Sequence, residues 1–160
     1  MVADLDRKTA GLRTALEQIP DAITFGDLPA GLSVATVPDL LPHGLHVVLT
    51  ATDGPRCGSI VLYAEADLPG SQFFSEELEG GPAEWLCFGS CDYVPLFVNR
   101  RTGEVWWSPD EDGTLERLSA DVATFFDHYA LGSGYADMTV AADDLWYRFL
   151  GDQKLEGRLR

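Results

Sequence analysis

Histidine and cysteine are the residue types in this chain that could support acid–base, metal or nucleophilic chemistry. The three histidines are His43, His46 and His128. His43 and His46 lie three residues apart, but no carboxylate accompanies them in the HExxH pattern of a zinc enzyme. We therefore interpret each histidine as a surface or boundary residue.

The three cysteines, Cys57, Cys87 and Cys91, are an odd number for a disulfide framework. They indicate reduced thiols in a cytoplasmic protein. Cys87 and Cys91 form a CxxxC pattern, which differs from the paired CxxC of a structural zinc site. On one strand they would share a face. Their apolar sequence neighbours indicate core packing, and no neighbouring basic residue would activate Cys87 as a nucleophile.

Sequence motifs of common enzymes are absent from the chain. It contains no GxSxG elbow, no GxxxxGK phosphate loop and no GxGxxG dinucleotide pattern. Carboxylate pairs recur, as in Glu76–Glu77 and Asp143–Asp144, but with 26 acidic residues such pairs do not by themselves indicate glycosidase chemistry. The turn "DEDG" lacks the ligand spacing of a calcium loop. The sequence predicts a protein without enzymatic activity, metal or cofactor.

Charge restricts the class of partner. The 160 residues, which we expect to form a single domain over 1–160, include 26 acidic and 11 basic residues, for a net charge of −15. Such a surface repels nucleic acid and anionic membranes and attracts cationic partners, although acidity could serve solubility alone. No apolar run reaches the roughly 20 residues of a membrane span, and the N-terminus lacks a secretory signal core.

Apolar spacing predicts the elements of the N-terminal half. A helix is expected over 3–18, because Leu5, Leu12 and Leu16 recur at helical intervals. Prolines and glycines predict irregular chain over 21–44. "LHVVLTA" (45–51) and "SIVLYAEA" (59–66) read as the two strands of a hairpin, followed by an acidic surface loop over 67–83.

Three strands and two helices are predicted in the second half. The strands are "EWLCFGS" (84–90), "YVPLFVN" (93–99) and "EVWWSP" (104–109), with Gly103 at a positive φ in the turn. A helix capped by Ser119 follows, with Val122, Phe125, Phe126 and Tyr129 on one face. The last helix, roughly 136–149, carries Met138, Leu145, Trp146 and Phe149, and the tail 151–160 is expected to fray. This order predicts an α+β fold, mainly an antiparallel sheet with an N-terminal helix and two C-terminal helices.

Adjacent tryptophans beside an acidic turn are the most unusual feature of the chain. Strand alternation places Trp106 and Trp107 on opposite faces, so one faces the core and the other faces solvent. Parity alone does not decide which one, and we favour Trp107 as the outward residue. The alternative is that both are buried and the neighbouring acids are merely solvated.

The motifs "WLCFGS", "YVPLFVNRRTGEVWW" and "LSADVATFFDHY", over roughly 84–130, resemble the SUKH superfamily and its fourth subfamily in particular. Gly89, the turn Thr102–Val105 and Phe125 or Phe126 occupy the positions of the family's glycine, hairpin and helical phenylalanine. The resemblance implies a SUKH-like fold. It also implies an immunity protein of a bacterial polymorphic toxin system, which binds a cognate toxin domain and blocks it.

If the resemblance holds, the cognate toxin is expected to be a basic nuclease or nucleic-acid deaminase. Toxins of this kind need a basic cleft, in which carboxylates can replace phosphates and an aromatic ring can replace a stacked base. The expected partner-binding residues are the aromatic and acidic side chains of this region: Trp106, Trp107, Tyr93, Asp92, Glu104, Asp110, Glu111, Asp112, Glu76, Glu77 and Glu79.

Two other functions are compatible with the sequence. A regulatory or scaffold module of the same fold would bind several partners more weakly. A small enzyme would use Cys87 or His128. The oligomeric state does not follow from the sequence.

Overall fold

The computed structural model describes residues 2–139 and 143–153 of the chain. The first element is α1 (Val2–Glu17), which confirms the predicted N-terminal helix. Its leucines Leu5, Leu12 and Leu16 are buried, as their spacing indicated. The chain then runs through a 3₁₀ turn (Ala22–Thr24), strand β1 (Gly26–Asp27) and a second 3₁₀ turn (Val34–Thr36).

The predicted strand 45–51 is wrong, because the structure forms helix α2 (His43–Ala51) there. Pro42 precedes the helix, where its missing N–H costs nothing. Most of α2 is buried, so apolar residues occur all round its axis. A fully buried helix and a buried strand give the same continuous apolar run, and periodicity cannot separate them.

Within the described residues, seven strands form one antiparallel sheet in which every strand pairs with the next one along the chain. This arrangement confirms the predicted α+β class with a mainly antiparallel sheet. The strands after β1 are β2 (Arg56–Cys57), β3 (Ile60–Leu62), β4 (Trp85–Cys91), β5 (Val94–Asn99), β6 (Val105–Trp107) and β7 (Glu116–Ser119). Gly103 has the predicted positive φ, at 79°.

Two parts of the sheet differ from the prediction. The first hairpin joins β2 to β3 through Gly58, whose φ is +61°, and does not involve residues 45–51. Strand β7 was not predicted, because its charged residues Glu116 and Arg117 hide the alternation that marks a strand.

The chain between β3 and β4 is more ordered than the predicted surface loop. It forms 3₁₀ segments at Glu65–Asp67 and Pro69–Glu77, followed by α3 (Gly81–Glu84). The side-chain amide of Gln72 donates to the backbone oxygen of Cys87 at 2.9 Å and accepts from the Cys87 N–H at 3.0 Å. Gln72 thereby holds this segment against β4.

The C-terminal helices are shorter than predicted. Helix α4 (Val122–Phe125) begins at Asp121, whose carboxylate accepts from the Thr124 N–H at 2.7 Å, so Asp121 and not Ser119 is the cap. A π-helical turn (Phe126–Ala130) and α5 (Tyr135–Met138) follow. The last helix, α6 (Leu145–Asp152), is separate from α5, which corrects the single helix expected over 136–149. The predicted fraying of the tail concerns mainly residues 154–160, which lie outside the described residues.

The sheet has a helix-covered inner face and a smaller aromatic cluster on its outer face. Val122, Phe125 and Phe126 are fully buried under the inner face, as the predicted helix face required. Phe88 meets Phe125 edge to face, with ring centroids 5.8 Å apart. The outer cluster consists of Trp85, Cys87 and Phe97.

A β-bulge in β4 corrects the expected positions of two cysteines. The register of β4 against β5 shifts between Cys87 and Gly89. One extra residue reverses the alternation of the strand. Cys87 therefore joins the outer cluster, while Cys91 lies in the main core, and the two thiols do not share a face.

Candidate functional site

The antiparallel order of the strands gives the sheet two distinct ends. The β2–β3 turn, the β4–β5 turn and the β6–β7 loop lie at one end, which we call the Tyr93 end: 58–59, 92–93 and 108–115. The β5–β6 turn, 100–104, lies at the other, the Arg100 end. A cluster that is continuous in sequence is therefore divided between two places in the fold.

Tyr93 is the most exposed large apolar side chain among the described residues, at 98%. It forms the two-residue β4–β5 turn with Asp92, and both residues have positive φ values, 49° for Asp92 and 69° for Tyr93. Positive φ at both positions belongs to the type I′ hairpin, where Asn-Gly is preferred. A tyrosine in the left-handed region destabilises the fold. Folding therefore does not explain why Tyr93 stands at the tip of this turn.

The acidic turn of β6–β7 lies beside Tyr93. Asp110 follows Trp107 by three residues, and Tyr93 precedes the Trp107 partner, Leu96, by three. The two loops thus leave the sheet side by side, on strands about 5 Å apart. The carboxylates at this end are exposed: Asp92, Asp110, Glu111 and Asp112.

The expectation that Trp107 faces solvent is wrong. Trp107 is 8% exposed and packs in the main core on the same face as Val105. Trp106 is the outward residue, half-buried on the outer face. Parity required the two rings to oppose each other, but only the position of the helices decides which face is covered.

Trp106 is fixed by its neighbours on the outer face. Its ring meets Trp85 edge to face, with centroids 6.4 Å apart.

The Arg117 guanidinium donates to the Glu104 carboxylate at 2.7 Å, and this bond lowers the pKa of Glu104. Glu104 thus lies near the Arg100 end in an ion pair, so the structure does not group it with Asp92 and the acidic turn.

The remaining predicted acids, Glu76, Glu77 and Glu79, are exposed on the segment that precedes β4. The Trp85 indole N–H donates to the Glu79 backbone oxygen at 3.0 Å, which places this part of the segment toward the Arg100 end. Phe73 on the same segment is 58% exposed and stacks on Phe74. The sequence does not single out Phe73, because "QFFSEE" does not show which phenylalanine is covered.

Two of the thiols are buried and protonated, and His128 packs against a neighbouring ring. Burial raises the pKa of Cys87 to about 11 and that of Cys91 to about 12, so both are protonated at neutral pH. His128 packs edge to face on Tyr129, with centroids 4.6 Å apart. In the described parts of the chain, no group of three or more His, Cys, Asp or Glu side chains is arranged to hold a metal ion.

A groove of about 420 Å³ lies between α1, α2 and α4. Lys8 lines it and forms a 2.7 Å ion pair with Asp127. Burial lowers the pKa of Lys8, but the Asp127 carboxylate holds its ammonium in place. The groove thus presents a lysine that is already engaged within the fold.

Comparisons with known proteins identify the family pattern of the central segment. None of the helices over 2–139 and 143–153 has the length and hydropathy needed to cross a membrane. No curated protein matches the chain. The family model described as SUKH-4 immunity protein matches residues 62–135, which include β4 to β7, α4 and both turns of the Tyr93 end that carry exposed acids. This match confirms the resemblance drawn from 84–130, and over residues 62–135 the chain carries the pattern of the SUKH-4 immunity proteins, the fourth subfamily of the SUKH superfamily.

Proposed function

We propose that this protein is a bacterial immunity protein that binds and neutralises a cognate protein toxin through its Tyr93 end. The family match supports the immunity role. The observation that carries the location is Tyr93, which is 98% exposed on a turn that glycine would suit better. A side chain that costs stability and contacts little of its own fold is typical of a binding site.

The chemistry of this end fits a basic partner. An exposed aromatic ring surrounded by carboxylates matches the composition of interface hot spots, where a central aromatic residue anchors and the charged rim steers. The carboxylates are those of Asp92, Asp110, Glu111 and Asp112. A net charge of −15 adds long-range attraction toward a cationic surface.

A toxin that acts on nucleic acid is the partner class that this surface suits best. The cleft of a nuclease or nucleic-acid deaminase is basic and accepts stacked bases. Tyr93 would occupy the position of a base and the carboxylates those of phosphates. In this proposal the protein acts in the cytoplasm as one domain over 1–160, binds neither nucleic acid nor membrane, and inhibits without catalysis.

The other predicted residues are assigned to the periphery of the surface. Trp106 is half-buried and packs against neighbouring side chains. The remaining acids lie on the outer face or toward the Arg100 end: Glu104, Glu76, Glu77 and Glu79. Trp107 is excluded, because its ring lies in the main core.

The experiment that tests this function is a pull-down with tagged protein from lysate of the native cell, at low and at high salt. A single stoichiometric basic protein should elute, and its recovery should fall at high salt, because exposed charges are screened. Expressed alone, the captured protein must kill cells, and co-expression with wild-type immunity protein must rescue them.

Two further results would decide against the proposal. Several partners at sub-stoichiometric yield, none of them toxic, would identify a regulatory or scaffold module instead. A captured toxin that the Tyr93→Ala variant binds and neutralises as well as wild type would move the binding surface away from this end.

A further inference from the structure

We propose that the start of α6, with Asp143 and Leu145, belongs to the same toxin-binding surface and supplies specificity for one toxin. This inference rests on the proposed immunity function. Leu145 is 55% exposed, whereas Trp146, Phe149 and Leu150 on the same helix are buried. The face of α6 that packs against the core is therefore formed without Leu145.

Hydrogen bonds connect α6 to the Tyr93 turn through the β2–β3 turn. The Asp92 N–H donates to the Ser59 backbone oxygen at 3.0 Å. The Ser59 N–H donates to the Tyr135 hydroxyl oxygen at 2.8 Å, and that hydroxyl donates to the Asp144 carboxylate. Three bonds thus span from the residue before Tyr93 to the residue before Leu145.

Asp144 also fixes the first turn of α6. Its other carboxylate oxygen accepts from the Tyr147 N–H at 2.9 Å, which makes Asp144 the N-cap of the helix. The Tyr147 ring stacks on Tyr135, with centroids 5.8 Å apart and planes 19° apart. One carboxylate therefore positions α6 and the Tyr93 end relative to each other. A partner that contacts Tyr93 meets Leu145 in a defined place.

Asp143 adds an exposed carboxylate beside Leu145. The Asp143 side chain is 93% exposed, and the nearest guanidinium nitrogen of Arg148 lies 3.9 Å from its carboxylate, at the outer limit of an ion pair. An exposed pair of this kind contributes little and competes weakly with a partner. The fitting partner surface is a basic protein face with two apolar recesses, one for the tyrosine ring and one for the leucine.

The position of α6 in the chain makes it suited to specificity. The family pattern covers 62–135, and α6 begins ten residues beyond its end, at Leu145. The Tyr93 turn and the acidic turn lie inside the pattern, while the apolar contact of Leu145 lies outside it. Discrimination between toxins depends on a few buried contacts at the centre of an interface. Leu145 is the residue in α6 that can make such a contact.

The test measures the dissociation constant and the association rate constant of the purified basic protein captured by wild type, with Leu145→Ala and Asp143→Asn as variants. We expect Leu145→Ala to weaken binding about tenfold, the scale of a contributing interface residue that is smaller than a hot spot. Asp143→Asn should slow association about twofold, because it removes one steering charge. The Asp143 side chain is 93% exposed, so this variant should fold as wild type, and its association rate tests the contact when Leu145→Ala folds poorly.

The matched control is Leu40→Ala. Leu40 is 91% exposed and adjoins Leu41, which lines a groove with Leu86 and Arg100. It therefore lies toward the Arg100 end and should change the dissociation constant less than about twofold.

The outcomes separate this inference from the proposed function. If Tyr93→Ala weakens binding while both α6 variants bind as wild type, the α6 contact is overturned and the immunity function stands. If the Leu40→Ala change weakens binding as much as Leu145→Ala, the surface is not localised to α6 and the inference fails. If wild type captures no toxic basic protein, the immunity function and the α6 contact fall together.

Discussion

At the scale of single residues, the binding role proposed for the β4–β5 turn opposes the stability of that turn. Asp92 and Tyr93 both adopt positive φ, yet neither is glycine. Aspartate tolerates the left-handed region because its short side chain bonds locally, whereas tyrosine does not. Tyr93 is also nearly fully exposed, so burial does not compensate for the strain.

Replacing Tyr93 with glycine should therefore separate folding from binding. We expect Tyr93→Gly to raise the free energy of unfolding by about 1 kcal/mol, because glycine adopts positive φ without strain. The same change should weaken toxin binding by about 2 kcal/mol. Denaturant unfolding and a binding titration measure the two effects. Tyr93→Ala is the control: it should lose affinity without gaining stability. A glycine variant with wild-type affinity would remove Tyr93 from the site.

The thiols provide a second test at this scale. Burial raises the pKa of Cys87 to about 11, so its reactive thiolate is scarce at neutral pH. We expect a thiol reagent at pH 8 to label native protein slowly and unfolded protein quickly. In the unfolded chain the thiols are solvated and have a pKa of about 8.5. Guanidinium-unfolded protein is the control. Fast native labelling, or a Cys87→Ala variant that no longer neutralises the toxin, would favour the enzyme hypothesis.

At the scale of elements, the segment between β3 and β4 depends on one side chain. β3 pairs with β4 only at Gly89–Cys91, which leaves the start of β4 without a strand on that side. Gln72 satisfies the Cys87 N–H and C=O there with its amide, as a neighbouring strand would. The amide of Gln72 therefore explains how a 3₁₀ segment, which forms no strand pairing with β4, stays in place over the outer aromatic cluster.

Removing this amide should destabilise the protein. Gln72→Ala leaves two buried backbone groups without their partner and should lower the free energy of unfolding by about 2 kcal/mol. Ser71→Ala is the matched control, because the Ser71 hydroxyl bonds only to the exposed backbone oxygen of Asp67. It should cost less than about 0.5 kcal/mol. Equal effects in the two variants would show that Gln72 does not hold the segment.

At the scale of the whole molecule, charge in the proposed complex would control encounter more than affinity. A net charge of −15 would attract a basic toxin from a distance, and apolar contacts would hold the complex once it has formed. Screening by salt should therefore act mainly on the association rate.

Association kinetics test this division of roles. We expect the association rate constant to fall about tenfold between roughly 50 and 500 mM salt, with a nearly constant dissociation rate. Stopped-flow mixing measures both. Neutralising Asp110, Glu111 and Asp112 to their amides should flatten the salt dependence. Neutralising three exposed acids on other segments, Asp6, Glu17 and Asp39, gives the same net charge and should flatten the salt dependence of the association rate less. If both triple variants showed the same salt dependence of association, the association rate would depend on net charge and not on the acidic turn.

Local signals determined much of the fold before any tertiary contact was considered. The positive φ of Gly103 follows from its turn, and the helical leucine spacing of α1 follows from period alone. Strands β4 to β6 and the buried face of α4 were likewise readable from alternation and spacing. The acidic composition restricted the partner class, and the family resemblance came from "WLCFGS" and the β5–β6 hairpin.

The remaining features of the fold depend on which elements pack against each other. Which of Trp106 and Trp107 is buried depends only on which face of the sheet the helices cover. The apolar residues of α2 form a helix and not a strand because of the elements that pack around them. The bulge in β4 reverses Cys87 and Cys91 through one added residue. Above all, Asp92 and Asp144 lie far apart in the sequence and are linked by hydrogen bonds through Ser59 and Tyr135. By itself the sequence determined α1, strands β4 to β6, the charge and the family pattern, because these depend on neighbouring residues. Only the tertiary structure decided which side chains form one surface, because that depends on contacts between distant segments.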